Sequence, residues 1–524
     1  MGADQPLTES KNKGPIRRGV AIDAARQQNA QTPLRRAWWL LAAAALAVFL
    51  VLTIGYSVTR SPWWDEGMFA DVAMHFRNTG HLGSIVLAPH GYLNWPGVHE
   101  YTYWQLPLYL LTEGVWLRMV PATIQYARLL SVIWGCVYLA AWFLFVRGLT
   151  GDGALSTFVT AVVAMDYAVL SAASDARMDM MCAALGQLGL ASYVSLRTSK
   201  PILATALAGL FGAASLFCHP MGAVTTVSII AIILFLDRRS ICWRGVPFAA
   251  LFYLVGFALC IRYAMENPAI YHAQSSAAAS YRIARVAGAL HSIVYDVRNR
   301  YFAYYFWFLE GAARLKVCSL LFGLAGVAGI ALTPRLRSEV LGKVLLLLAA
   351  ITYVCVALVD NQDFPIYFIY SAPVLTVCGA FWAYRCWARP LIWRSAAGAL
   401  LVAATIASTG AFAVKIHAND FRRQYLSAVQ VIKANLPAGG TVFGGAELGF
   451  ALGFGPQLVD DRYLGYGSGA PLPALYVMDP NYVGMRSEKT AWQESRKTLA
   501  KQYRLIYRNQ IYRIYLRDDL PKRS

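Results

Sequence analysis

Residues 37–67 read AWWLLAAAALAVFLVLTIGYSVTRSPWWDEG. The apolar run over 37–58 is long enough for one helix to cross a hydrocarbon core of about 30 Å. Just beyond it two adjacent carboxylates, Asp65 and Glu66, follow a tryptophan pair. A span followed by acids at the membrane surface sets the reading of the rest. A signal peptide fits poorly: the leader is long and basic, the run exceeds an ordinary signal core, and no small-residue cleavage site clearly follows. The segment is therefore read as a retained first span. Residues 1–36 carry Lys11, Lys13, Arg17, Arg18, Arg26, Arg35 and Arg36 and read as a disordered tail held in the cytoplasm.

Outward from this segment the whole chain is apolar. Of 524 residues, 57% are hydrophobic and 14% charged, where a soluble domain carries about 25% charged residues. That excludes disorder, a coiled coil and an ordinary cytosolic enzyme. The net charge of +19 reads as cytoplasmic loops collecting Lys and Arg, and no nucleic-acid-binding signature appears. Nine cysteines lie mostly in apolar runs without any CxxC, so neither a disulfide framework nor a zinc site follows.

Ten further apolar runs lie near 127–147, 154–173, 179–196, 201–217, 221–236, 246–264, 316–332, 340–359, 366–386 and 391–412. Basic residues mark alternate connections: Arg147, Arg197 with Lys200, Arg238 with Arg239, Arg335 with Arg337, and Arg385 with Arg389. These are cytoplasmic by the positive-inside rule. The connections 59–126 and 265–315 then face outside. The stretch 104–120 also tempts a span assignment, but crossing there would turn the basic loops outward. With Gln105, Pro107, Glu113 and Arg118 it reads instead as an interfacial or re-entrant helix. The expected fold is mainly α: a polytopic membrane bundle of about 11 spans over 37–412. Residues 413–524 are polar, with short apolar runs at 441–443, 457–459 and 475–478 and a hairpin bracketing Arg508-Asn509-Gln510. They read as a small α/β domain outside the membrane.

The chemistry-bearing groups gather on the outer side. Asp65 and Glu66 form one acidic cluster, and a carboxylate at a partly dry interface suits general-base work. Asp175, Arg177 and Asp179, at the outer end of a later span, form a second. Arg282, Arg285, Arg298 and Arg300 beside an aromatic run suit either a lipid phosphate or anionic headgroups. His219 could bind metal or phosphate, though a lone histidine more often packs. Asp360, Gln362 and Asp363 precede Tyr367, a candidate substrate contact, and otherwise read as a solvated turn. Asp460-Asp461-Arg462 reads as a turn with a local ion pair.

The order WWDEG, YWQLPLYLL, YARLLSV, RGLTGDGAL, SDARMDM, DFPIYFIYSAPVL over roughly 37–385 resembles the membrane-embedded C-type glycosyltransferases. The branch it resembles most holds the dolichyl-phosphate-mannose–protein mannosyltransferases and the lipid A aminoarabinose transferases. The resemblance implies a polyprenyl-phosphate sugar donor and transfer on the outer face. It implies that Asp65 is the base, with Glu66 its partner and Asp179 a second acid for which Asp175 is the rival. Two positions depart from the family. Gln105 stands where a lysine often faces the donor phosphate, and His219 where a lysine commonly follows the sixth run. Another cation must then serve, with Arg177, Arg298 and Arg300 as candidates. No nucleotide fingerprint is present, which suits a donor that already carries its leaving group. A divalent metal on Glu66 or Asp179 is compatible, since hard-metal ligands and simple acids look alike in sequence.

The expected function is an integral glycosyltransferase of the bacterial plasma membrane, acting on a lipid, glycan or protein acceptor. The rival is a transporter or flippase of a lipid-linked sugar. Such proteins bind near the bilayer midplane through interrupted repeats, and no corresponding halves are visible here.

Overall fold

The computed structural model describes residues 16–89, 95–283, 289–307, 316–360, 364–466, 468–479 and 490–521. Arg285, Gln362 and Asp363 fall outside them. Helix α1 (Ile16–Thr59) begins well before the apolar run, so residues 16–36 are helical where an irregular tail was expected. Then follow α2 (Trp64–Thr79), α3 (Pro107–Met119), α4 (Ile124–Thr150), α5 (Gly153–Ala164), α6 (Tyr167–Ala173), α7 (Met178–Leu196), α8 (Pro201–Cys218), α9 (Gly222–Asp237) and α10 (Val246–Ala264). The next connection holds α11 (Pro268–Ile283), α12 (Ala289–Asp296) and wide π-type turns over Val297–Trp307. The bundle closes with α13 (Val317–Leu332), α14 (Pro334–Ser338), α15 (Val340–Val359), a tight turn at Pro365–Tyr370, α16 (Ala372–Cys386) and α17 (Leu391–Ala418).

Each apolar run read from the sequence is helical. Six helices among the described residues are long and apolar enough to cross a membrane: Ala37–Thr59, Ile124–Thr150, Pro201–Cys218, Val246–Ala264, Val340–Val359 and Leu391–Asn435. The α5–α6 pair, bent by 66°, makes a seventh if counted as one span. Asp166 explains that bend. It interrupts the run 154–173 and caps α6, accepting from the Ala168 and Val169 amides at 2.9 and 3.2 Å. Helix α10 buries no residue, and Phe248, Leu251, Leu254 and Leu259 are all exposed. It packs against α8 on one side, and the apolar surface left bare elsewhere suits lipid. Helix α3 has 13 residues, or about 20 Å at 1.5 Å per residue, too short to cross. It packs on α2.

The C-terminal segment holds α18 (Ser427–Asn435), β1 (Val442–Phe443), α19 (Gly449–Leu452), β2 (Leu458–Val459), β3 (Leu475–Met478), α20 (Thr490–Gln502), β4 (Tyr503–Arg508) and β5 (Arg513–Arg517). The strands form one mixed sheet in the order β2-β1-β3-β5-β4. β1 runs parallel to β2 and β3, while the hairpin β4–β5 joins antiparallel to β3. All five strands fall on the short apolar runs read from the sequence.

This sheet rests on the loop that follows α2. Asp460, just past β2, donates its amide to the Val86 carbonyl at 2.8 Å, forming a parallel bridge beside Leu87. Asp71 on α2 holds that loop, accepting from the Ile85 and Val86 amides at 3.2 Å and from the Ser84 hydroxyl. Burial pushes the Asp71 carboxyl up to about 6. A Cβ on Gly67 would overlap the Glu447 backbone, so only glycine admits this contact. Gly67→Val is expected to lift the sheet off α2. Limited proteolysis should then cut within 413–524 under conditions that leave the wild type whole.

Candidate active site

The centre of the site is Glu66, which is fully buried. Both of its carboxylate oxygens accept from Arg128 on α4 at 2.7 Å. Oε1 also takes the Ala176 amide at 2.9 Å, and Oε2 takes the Trp63 amide at 3.1 Å. Arg128 places its remaining donors on the carbonyls of Ser57, Arg60 and Ser61 at 2.7, 2.8 and 3.2 Å. All five guanidinium N–H groups are thus used, which only arginine allows. Burial pushes the Glu66 carboxyl up, but Arg128, followed by Arg60, brings it net below the ordinary range. This pair ties together the end of α1, the start of α2, the start of α4 and the 174–177 turn.

On that frame the two acidic clusters meet. Arg177 pairs with Asp65 and, through Nε at 2.9 Å, with Asp179. Its guanidinium lies 5.1 Å from the Trp63 ring and 5.5 Å from Phe69, and aromatic faces favour the cation. Asp65 keeps 17% of its side chain exposed, against 1% for Asp179 and 4% for Arg177. Asp175 pairs with Arg60 rather than with Arg177. Arg60, Trp63, Tyr167, Ser171, Asp175 and Phe368 line a cavity of about 270 Å³. An acid with access to solvent, a fixed arginine and a cavity with a cationic wall are the parts that a displacement reaction needs.

The remaining candidates divide. Gln105 and His219, the two departures from the family pattern, lie close together: Gln105 reaches the Cys218 carbonyl at 3.5 Å. The His219 ring sits 5.4 Å from Tyr367, and Tyr370 places its hydroxyl 3.5 Å from the Asp179 carbonyl. These residues extend the site behind Asp179. Arg300 is fully buried, with Nε on Asp296 at 2.6 Å and Nη2 on Asp360 at 3.0 Å. It also reaches the Phe364 carbonyl at 3.0 Å. Arg300 therefore clamps the loops around 296 and 364 together, and Asp360 is buried instead of standing in a solvated turn. Arg298 is exposed. Among the described residues, no group of three or more His, Cys, Asp or Glu is placed to hold a metal ion. The acids suggested for one are instead committed to arginines: Glu66 to Arg128, Asp179 to Arg177.

Sequence reading did not single out Arg128, Arg60 or the C-terminal contacts. Asp460 and Arg462 form the local ion pair expected of that turn, at 3.8 Å, and both are buried. The Trp64 indole donates to Asp460 at 2.7 Å, and Arg462 stacks over that ring at 4.1 Å. The tryptophan pair therefore divides its work: Trp63 faces the arginines and Trp64 the C-terminal sheet. Glu447, buried beside them, is pushed well up by burial, then by Asp479 and Asp460. A carboxyl raised on folding contributes stability in full below its ordinary value of 4.5, and that contribution is lost as pH rises through the elevated value. Glu447→Gln is expected to keep the sheet docked to higher pH, measured as proteolytic release of 413–524 against pH.

No family model and no curated protein matches the sequence. Solved structures do match. ArnT from Cupriavidus metallidurans bound to undecaprenyl phosphate aligns at a TM-score of 0.57 and 14% identity, covering 91% of this chain and 97% of that one. The oligosaccharyltransferase AglB from Archaeoglobus fulgidus, in complex with an inhibitory peptide and a dolichol-phosphate, aligns at 0.56 and 14% identity, covering 93% and 75%. Both belong to the C-type glycosyltransferase superfamily, and the chain has their fold.

Proposed function

We propose that this multi-pass membrane protein moves a sugar from a polyprenyl-phosphate carrier to a hydroxyl acceptor on the outer face of the membrane. The observation that carries the reading is the meeting of Asp65 and Asp179 on Arg177 beside a cavity with Arg60 in its wall. The fold shared with two enzymes captured with polyprenyl phosphates supports the donor class.

In this reading Asp65, the most open of the acids, takes the acceptor hydroxyl proton. The acceptor oxygen bonds to the anomeric carbon as the bond from that carbon to the phosphate oxygen breaks. The electron pair leaves with the lipid phosphate, which cations must hold. Arg177 aligns Asp65, and Asp179 steadies Arg177. Glu66 acts through Arg128 as a positioning residue. Asp175 orients Arg60 toward the cavity. Gln105, His219 and Tyr367 shape the wall that the sugar meets. The basic loops then face the cytoplasm and the sheet of 413–524 the outer side.

The test is purified protein in lipid nanodiscs, given radiolabelled polyprenyl-phosphate sugars with lipid, glycan and protein fractions as acceptors. Label in an acceptor, with release of the polyprenyl phosphate, is expected. Passage of the labelled carrier across a sealed vesicle without covalent transfer would overturn the reading in favour of a flippase.

A further inference from the structure

Gln105, Tyr109 and Glu113 recur at spacings of four from just before helix α3 into its middle, so they share one face. That face is turned inward: the three residues are 6%, 0% and 0% exposed. Beside Glu113, a Cβ on Gly114 would meet the Phe76 ring at 2.6 Å, so α2 and α3 are in close contact at this level. Polar groups on a buried helix face need partners. Gln105 has the Cys218 carbonyl. Among the described residues, neither oxygen of Glu113 nor the hydroxyl of Tyr109 has one. The other acids near the site are each met by an arginine: Asp65 and Asp179 by Arg177, Glu66 by Arg128, Asp175 by Arg60.

A buried carboxylate with no donor is far costlier than a buried carboxylic acid. Burial, followed by the charge of Glu66, pushes the Glu113 carboxyl well up, so it is uncharged at neutral pH and ionises only on the alkaline side. Its titratable surroundings are Glu66 on α2 and Tyr109 one turn back on α3, with Cys218 on α8 and Asp179 on α7 beyond Tyr109. Arg128, the cation on α4, is already taken by Glu66 and three carbonyls. An ionised Glu113 is therefore left with the Tyr109 hydroxyl. Residues four apart on a helix stand about 5–6 Å apart at Cβ, within reach if either side chain rotates.

Tyr109 also connects this acid to the reacting groups. Its ring meets Phe69 edge to face, with centroids 6.2 Å apart and planes at 83°. The Arg177 guanidinium lies 5.5 Å from the Phe69 ring and holds Asp65 and Asp179. We infer that Glu113 is a positioning residue that acts through Tyr109 and Phe69: uncharged, it leaves that stack in place and Arg177 seated on its two aspartates; charged, it draws the Tyr109 hydroxyl to itself and unseats them. The effect on sugar transfer rests on the proposed function, while the movement of the stack stands without it.

The test places 4-fluorophenylalanine at position 69 of the full chain in nanodiscs and follows its fluorine NMR signal from neutral to alkaline pH. The signal should move through one titration. It should stay fixed in Glu113→Gln, which cannot ionise, and in Tyr109→Phe, which has no hydroxyl to be drawn. In the wild type, kcat for transfer should fall about tenfold for each pH unit beyond that titration, the slope of one ionising group. KM for the polyprenyl-phosphate sugar should hold, and Glu113→Gln should carry transfer past the pH at which the wild type fails. A fluorine signal that stays still in the wild type, or moves equally in Glu113→Gln, would overturn the inference. So would an alkaline fall in kcat that Glu113→Gln shares. If Glu113→Gln does not fold, Tyr109→Phe decides, and a fluorine titration unchanged from the wild type would overturn the coupling. Absence of transfer with the fluorine titration intact would sink the proposed function and leave this coupling standing.

Discussion

Asp65→Asn is expected to lower the rate of sugar transfer by roughly 10²- to 10⁴-fold, the span a positioned general base contributes. Asparagine keeps the shape, and its carbonyl can still face Arg177, so the protein should insert and unfold as the wild type does. KM for the carrier should hold while kcat falls, because the base acts on the acceptor proton and not on the lipid phosphate. Asp179→Asn should cost less, since Asp179 acts by steadying Arg177 at 2.9 Å. The measurement is steady-state transfer from a labelled polyprenyl-phosphate sugar. Full activity in Asp65→Asn would transfer the base role to Asp179 or Asp175.

The second large effect lies at Arg128. Arg128→Leu strands the buried Glu66 carboxylate and leaves three carbonyls without their donor. Breaking a buried ion pair from one side costs about 3–5 kcal/mol, a large share of the roughly 5–15 kcal/mol that typically separates folded from unfolded. Loss of the monodisperse protein peak on gel filtration, or a steep fall in unfolding temperature, is expected. Lysine should not rescue it, because three donors on a flexible stem cannot reproduce a planar fork of five. Glu66→Met placed on the Arg128→Leu background should recover part of the stability, since an apolar pair leaves no stranded charge. If the single change is as stable as wild type, Glu66 is not anchored through Arg128.

The bundle and the C-terminal strands were legible because both rest on local pattern. Apolar runs of spanning length have one stable form in lipid, and the runs at 441–443, 457–459 and 475–478 announced β1, β2 and β3. The meeting of Asp65 with Asp179 was legible only through topology: charge bookkeeping put both on one side, and the structure adds that Arg177 joins them. Arg128 was within reach. It stands in YARLLSV near the start of an apolar run, where a buried arginine needs an acid. Arg300 was readable too, as the i+4 partner of Asp296, whereas its bond to Asp360 required the fold. Equally hidden was the burial of Asp460 and Arg462, which depends on Trp64 at the other end of the chain.

The contact between Trp64 and Asp460 joins residues 396 apart in sequence. A ribosome making this protein releases the Trp-Trp-Asp-Glu stretch early, hundreds of codons before its C-terminal partner exists. Until then, Trp64 lacks its partner and the loop after α2 lacks its neighbouring strand. A chain stalled or clipped before the final hundred residues would thus enter the bilayer without a finished centre. The centre around Glu66 is thus the last part of the fold to be completed, by the arrival of the tail.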